Sequence, residues 1–223
     1  VNMPSPWGIF YCPAHDYETD HKLIEAMQPA VITIQDGGDN TYAWIRKAAP
    51  NTVIVAREWA LGNQWSDLER DPIATGKHHA AEWAKKRDKL KFDPEKTRVA
   101  PVNEPECWST LDPNKFSPEQ REAQRVERVR KINTYSIVFA SECEKYGLRA
   151  GVGKFSVGWP GDYGYKDSPI NWGEYLEMYK GINWQRHTMI LHEYWADLGP
   201  AESWGWWGGR ARKMPWDIPY IIG

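Results

Sequence analysis

TRVAPVNE, residues 97–104, is an apolar run that ends on an amide and a carboxylate. It is short, carries no charge between Val99 and Val102, and reads as a strand buried on both faces. Six other runs share this character: GIFYC (8–12), AVITIQ (30–35), TVIVAR (52–57), RAGVGKFSV (149–157), TMILHEY (188–194) and IPYIIG (218–223). Amphipathic stretches separate them. DHKLIEAMQ follows the first run, TYAWIRKAA the second and HHAAEWAKKRDKL the third. After TRVAPVNE comes a long helix with a clear start: Ser117 as N-cap, Pro118 in the first turn and Gln120 completing a capping box. Val126, Val129, Ile132 and Tyr135 then recur on one face, and Gly147 stops it.

Strand and helix alternate with near-continuously apolar strands, the pattern of a parallel sheet covered by helices. No GxGxxG follows the first run, so an open dinucleotide-binding sheet is disfavoured. The expected fold is α/β, a (β/α)8 TIM barrel lacking its eighth strand–helix unit. The chain has 223 residues, about one such unit short of the roughly 250 of a typical barrel. No internal repeat or linker divides it, so residues 1–223 read as one domain. Pro101 stands against a strand through 97–104, because proline removes a ladder donor.

Composition narrows the function. The net charge of -2 leaves no basic surface for nucleic acid. No apolar run approaches the roughly 18 residues of a membrane span. VNMPSPWGIF lacks the charged and long apolar regions of a signal peptide; localisation stays open, secretion included. Cys12, Cys107 and Cys143 form no CxxC and no disulfide framework. Tryptophan is unusual: 14 against 5 phenylalanines, which suggests rings serving a ligand surface as well as the core.

In a barrel the active face is the set of loops after the strands. The polar residues there are His15, Asp36, Arg57 with Glu58, Asn103 with Glu104, and His192-Glu193-Tyr194. Trp59, Trp65, Trp108, Trp159, Trp195, Trp204, Trp206 and Trp207 fall in the same loops. Carboxylates ringed by flat aromatics suit a sugar: indole stacks on pyranose C–H faces, and carboxylates supply acid, base and nucleophile.

The segment VNEPE, 102–106, an apolar strand ending in Asn-Glu-Pro, resembles glycoside hydrolase clan A, the retaining (β/α)8 glycosidases that include the family 5 cellulases and mannanases. The resemblance implies that Glu104 is the general acid/base and that Asn103 hydrogen-bonds the sugar 2-hydroxyl. His192-Glu193-Tyr194 is similar to the clan's His-x-Tyr, implying that His192 lines the substrate site and that the Tyr194 hydroxyl contacts the nucleophile. IPYIIG resembles the start of the clan's seventh strand, which runs on through Gly-Glu; the nucleophile is then a Glu directly after Gly223. Arg57 would orient that nucleophile, while Trp59, Trp108, Trp159, Trp195 and Asp36 would bind substrate. A carbohydrate is the expected partner, with no cofactor and no metal. A complementing C-terminal segment or second chain would fill the missing strand.

Three other readings stay open. Metal-dependent hydrolysis would use His15, Asp36, Glu104 and His192, but the HxH expected after the first strand is absent and His78-His79 fall in a helical pattern. An inverting glycosidase would pair Glu104 with Asp36 or Glu193 across a wider gap. A non-catalytic carbohydrate-binding barrel would use the tryptophans alone.

Overall fold

The computed structural model describes residues 5–11, 17–38, 40–58, 64–103, 114–155, 172–191, 214 and 216–222. Their order is β1 (Ser5–Tyr11), α1 (Tyr17–Met27), β2 (Pro29–Gln35), α2 (Thr41–Ala48), β3 (Val53–Arg57), α3 (Gln64–Arg70), α4 (Pro72–Leu90), β4 (Thr97–Val99), α5 (Pro118–Lys145) and β5 (Gly151–Phe155). A 3-10 turn (Trp172–Tyr175), α6 (Leu176–Gly181), β6 (Thr188–Leu191) and β7 (Tyr220–Ile222) follow. All seven expected strands are present.

The protein is mixed α/β. The strands form two parallel sheets in chain order, β1-β2-β3-β4 and β5-β6-β7. They meet at a seam: a single parallel bridge pairs Val99 with Ala150, and the Val99 N–H donates to the Arg149 carbonyl at 2.9 Å. Among the described residues no pairing joins β7 to β1, so the strands do not close into a ring.

Side chains alternate across the sheets as the strand period requires. Ile32, Ile34, Ile54, Ala56, Met189 and Leu191 join the main core under the helices. Their neighbours point the other way: Val55, Ala100 and Ile190 form a second small cluster, with Val31 and Ile221 packed against it. Val31 belongs to β2 and Ile221 to β7, near opposite ends of the strand order. Both reach the same cluster because the sheets curl toward one another. Gly151 faces this interior; a Cβ there would collide with Ile190 and lie 3.3 Å from Ala100 Cβ.

Local signals act as their chemistry dictates. At α5, Ser117 Oγ accepts from the Gln120 N–H while Gln120 Oε1 accepts from the Ser117 N–H, the expected capping box. Gly147, at φ 67°, follows that helix. The third helical stretch starts earlier than its apolar pattern suggested: Asp71 caps it, accepting from the Ile73 and Ala74 N–H groups, with Pro72 in the first turn. Pro101 causes no conflict, because β4 ends at Val99 and the last donor to β3 is the Ala100 N–H, 2.9 Å from the Ala56 carbonyl. The last run differs from expectation on one face: Ile218 is buried, but Tyr220 is 45% exposed on a strand that, among the described residues, pairs with β6.

Helix α5 holds the halves together. It packs on α4, and Arg125 forms a bidentate pair with Glu174 of the 3-10 turn, both contacts 2.6 Å, while Asn133 Nδ2 donates to the Glu174 carbonyl.

Candidate active site

Parallel strands deliver their carboxyl ends to one edge. There β2 ends at Gln35, β3 at Arg57, and β4 leads through Ala100, Pro101 and Val102 to Asn103. Register is tight, since Gln35 stands opposite Arg57 and the Asp36 N–H donates to the Arg57 carbonyl at 3.0 Å.

Alternation sorts the residues at this edge. Arg57 lies two positions after Val55, so the strand period directs it to the face of Val55; it also borders the helix-side cavity described next and is only 8% exposed. Gln35, two and four positions after Thr33 and Val31, shares that face and is half-buried. Glu58 and Asp36 instead line a cavity of about 110 Å³ with Tyr42, Trp83, Lys86 and Leu90, residues of α2 and α4. Arg57 and Gly37 complete its wall.

The electrostatics of that cavity are those of a packed ion-pair site. Lys86 pairs with Glu58, and its ammonium lies 5.2 Å from the centre of the Trp83 ring. Burial lowers the Lys86 pKa, and the charge of Asp36 opposes the shift. Tyr42 is pushed well up, by burial first and by Asp36 second. Asp36 itself sits at φ 54°, left-handed backbone that an aspartate tolerates better than most residues. The sequence did not point to Lys86, which reaches Glu58 across the helix layer.

Asn103 Oδ1 is buried and, among the described residues, has no hydrogen-bond partner. A buried amide oxygen left unpaired is costly and draws a donor. Glu104, the next residue, lies outside the described residues, as do Trp59, Trp108, Trp159, His192, Glu193, Tyr194, Trp195, Trp204, Trp206, Trp207, His15 and Gly223. From the expected set, the structure therefore places Asp36 and Arg57 on one cavity and Asn103 on the stretch that follows β4 at the same sheet edge.

No family model, curated protein or solved structure matches the chain.

Several aromatic and titratable residues have roles away from this edge. Trp44, Trp83 and Trp172 are core residues, and the partly buried Trp184 and Trp216 pack against that core, Trp216 edge-on to Trp172. Trp65 falls within α3 rather than a loop. His78 and His79 lie on α4 as expected; His79 is buried against the Tyr135 hydroxyl at 2.9 Å. Cys143 is a buried free thiol whose pKa burial pushes up. Among the described residues no three His, Cys, Asp or Glu side chains cluster for a metal ion. What the edge offers chemically is a cation, two amides and the start of the segment that carries Glu104.

Proposed function

We propose that the protein is a glycoside hydrolase that cleaves β-glycosidic bonds of oligo- or polysaccharides with retention, on a (β/α)8 barrel whose first seven strands are β1–β7. The observation that carries this reading is Asn103: a buried amide oxygen without a partner among the described residues, on the stretch that leaves the carboxyl end of the fourth parallel strand, directly before Glu104. Such an amide is placed to accept from a sugar hydroxyl. Chain-order pairing and a packed concave face support the barrel.

In this mechanism Glu104 protonates the glycosidic oxygen as a nucleophilic carboxylate attacks the anomeric carbon. Glu104 then takes a proton from the water that releases the sugar. A carboxyl at an apolar barrel mouth near a second carboxylate holds its proton near neutrality. The nucleophile is a Glu directly after Gly223. Arg57, poor in solvent and on the concave face, would hold that carboxylate's charge. Tyr194 would contact it, with His192, Trp59, Trp108, Trp159 and Trp195 lining the sugar cleft.

The test is hydrolysis of an unactivated β-linked oligosaccharide by protein that includes the residue after Gly223, with the product anomer read by proton NMR. Glu104→Gln should cut the rate by about 10²–10⁴ and spare substrates with good leaving groups in the glycosylation step. An α-anomer as first product, or equal loss on both substrates, would overturn the assignment.

A further inference from the structure

We infer that Gln35, rather than its neighbour Asp36, is the residue at the end of β2 that meets the sugar, and that its side-chain amide sets which sugar is preferred. This rests on the carbohydrate reading above and names the group that would select within it.

The argument is one of strand period. Successive side chains of a strand point to opposite faces, so a one-residue change of position changes the face. Val31 packs into the concave cluster with Val55, Ala100 and Ile190, while Ile32 and Ile34 join the helix-side core. Counting by two from Val31 puts Thr33 and then Gln35 on the concave face. Its partner in register, Arg57, reaches the same face by the same count from Val55. Asp36 follows the last strand residue, turns the chain at φ 54°, and exerts its charge on Tyr42 and Lys86 of the helix layer.

Gln35 is also chemically ready. It is half-buried, and among the described residues its side chain has no hydrogen-bond partner. A primary amide offers one acceptor and two donors, so it can both give to and take from a hydroxyl. An ionised carboxylate can only accept. For a neutral polyhydroxylated ligand beside a guanidinium, the amide is the better match. Its place next to Arg57 puts it at the part of the site where the reaction's charge is held. Sites that hydrogen-bond a particular hydroxyl discriminate against analogues lacking it, because the polar group is then left unpaired.

The test is binding of β-linked gluco-, manno- and xylo-oligosaccharides of equal length, measured by titration calorimetry on the parent, Gln35→Ala, Gln35→Glu and Asp36→Ala. Gln35→Ala should weaken the preferred sugar about five- to tenfold, the scale of one hydrogen bond. It should weaken the others less, so that the ratio between sugars contracts. Asp36→Ala should leave that ratio as in the parent. Urea midpoints track folding, and Gln35→Glu, which keeps the side chain's size, decides the matter if the alanine variant does not fold. Loss of equal size for all three sugars, or a ratio changed by Asp36→Ala and not by either Gln35 variant, overturns the assignment. A parent that binds none of the three sugars overturns the carbohydrate reading itself, and Gln35's role falls with it; that result differs from the others because the parent is already silent.

Discussion

His79 shows how much one buried side chain can report. It is 2% exposed, contacts the Tyr135 hydroxyl, and is held down to about 4 by burial first and by the adjacent His78 second. His187 is buried too. Its Nδ1 accepts from the Ala150 N–H at 2.9 Å, so its proton sits on Nε2, facing Glu144 at 3.1 Å. Burial lowers its pKa, Arg98 and Arg186 lower it further, and Glu144 pulls the other way. In both cases the folded pKa lies below the unfolded one. The native state then binds fewer protons in that window, so stability is full above about pH 6.5 and is lost as pH falls toward 4. His79 accounts for up to about 3 kcal/mol of that loss. Urea unfolding across pH 4–7 should show the decline, and His79→Gln should flatten it. At the carboxyl edge, Lys86→Met strips Glu58 of its counter-charge in a half-buried cavity and should lower the unfolding free energy by about 1–3 kcal/mol.

At the scale of the elements, two close approaches govern the helix layer. Gly76 of α4 lies against α5: a Cβ there would stand 3.1 Å from the Phe139 nitrogen and 3.2 Å from the Tyr135 carbonyl oxygen. Gly76→Val should cost about 1–3 kcal/mol by forcing the helices apart, read as a lower urea midpoint. Ser117→Ala removes the capping acceptor of α5 and should cost about 1 kcal/mol. These elements were legible because their signals are local. The capping box at Ser117 and Gln120 needs no tertiary context, and seven apolar runs could be counted without knowing what they pack against. Other features were not legible. The start of α4 was hidden because Ile73 and Ala74 are exposed and leave no periodic stripe, so only Asp71 and Pro72 mark it. The Lys86–Glu58 pair joins residues 28 positions apart and follows from packing alone. The sheet edge on which Asn103 and Arg57 stand was legible from the ends of the apolar runs. The face each residue takes required the strand phase, which a motif at a strand end does not reveal; Asp36 drew notice as a carboxylate while Gln35 did not.

For the whole molecule, the pairing order carries a prediction about chemistry. Each strand lies beside its neighbour in sequence, and among the described residues β7 is paired to β6. On the proposed function, a Glu following Gly223, just past the end of β7, supplies the nucleophile. A mechanism-based fluoroglycoside should therefore label protein that includes a Glu after Gly223, with mass spectrometry placing the adduct there. Labelling of the 223-residue chain by itself would move the nucleophile to another carboxylate, with Asp36 and Glu193 the first to examine.

The seam between the sheets sets the order in which the backbone opens. Inside the first sheet, β2 and β3 share five paired positions, Val31 to Gln35 against Val53 to Arg57. Between β4 and β5 there is, among the described residues, one bridge, and Arg98 Nε reaches across the seam to donate to Thr188 Oγ1 at 2.9 Å. α5, 28 residues and about 42 Å long, spans that seam from outside. Sub-global fluctuations follow the weakest cooperative boundary. Deuterium should enter the amides of Val99 and Ala150 through a smaller opening free energy than those of Ile32 and Val55, so that the two sheets part first along the seam.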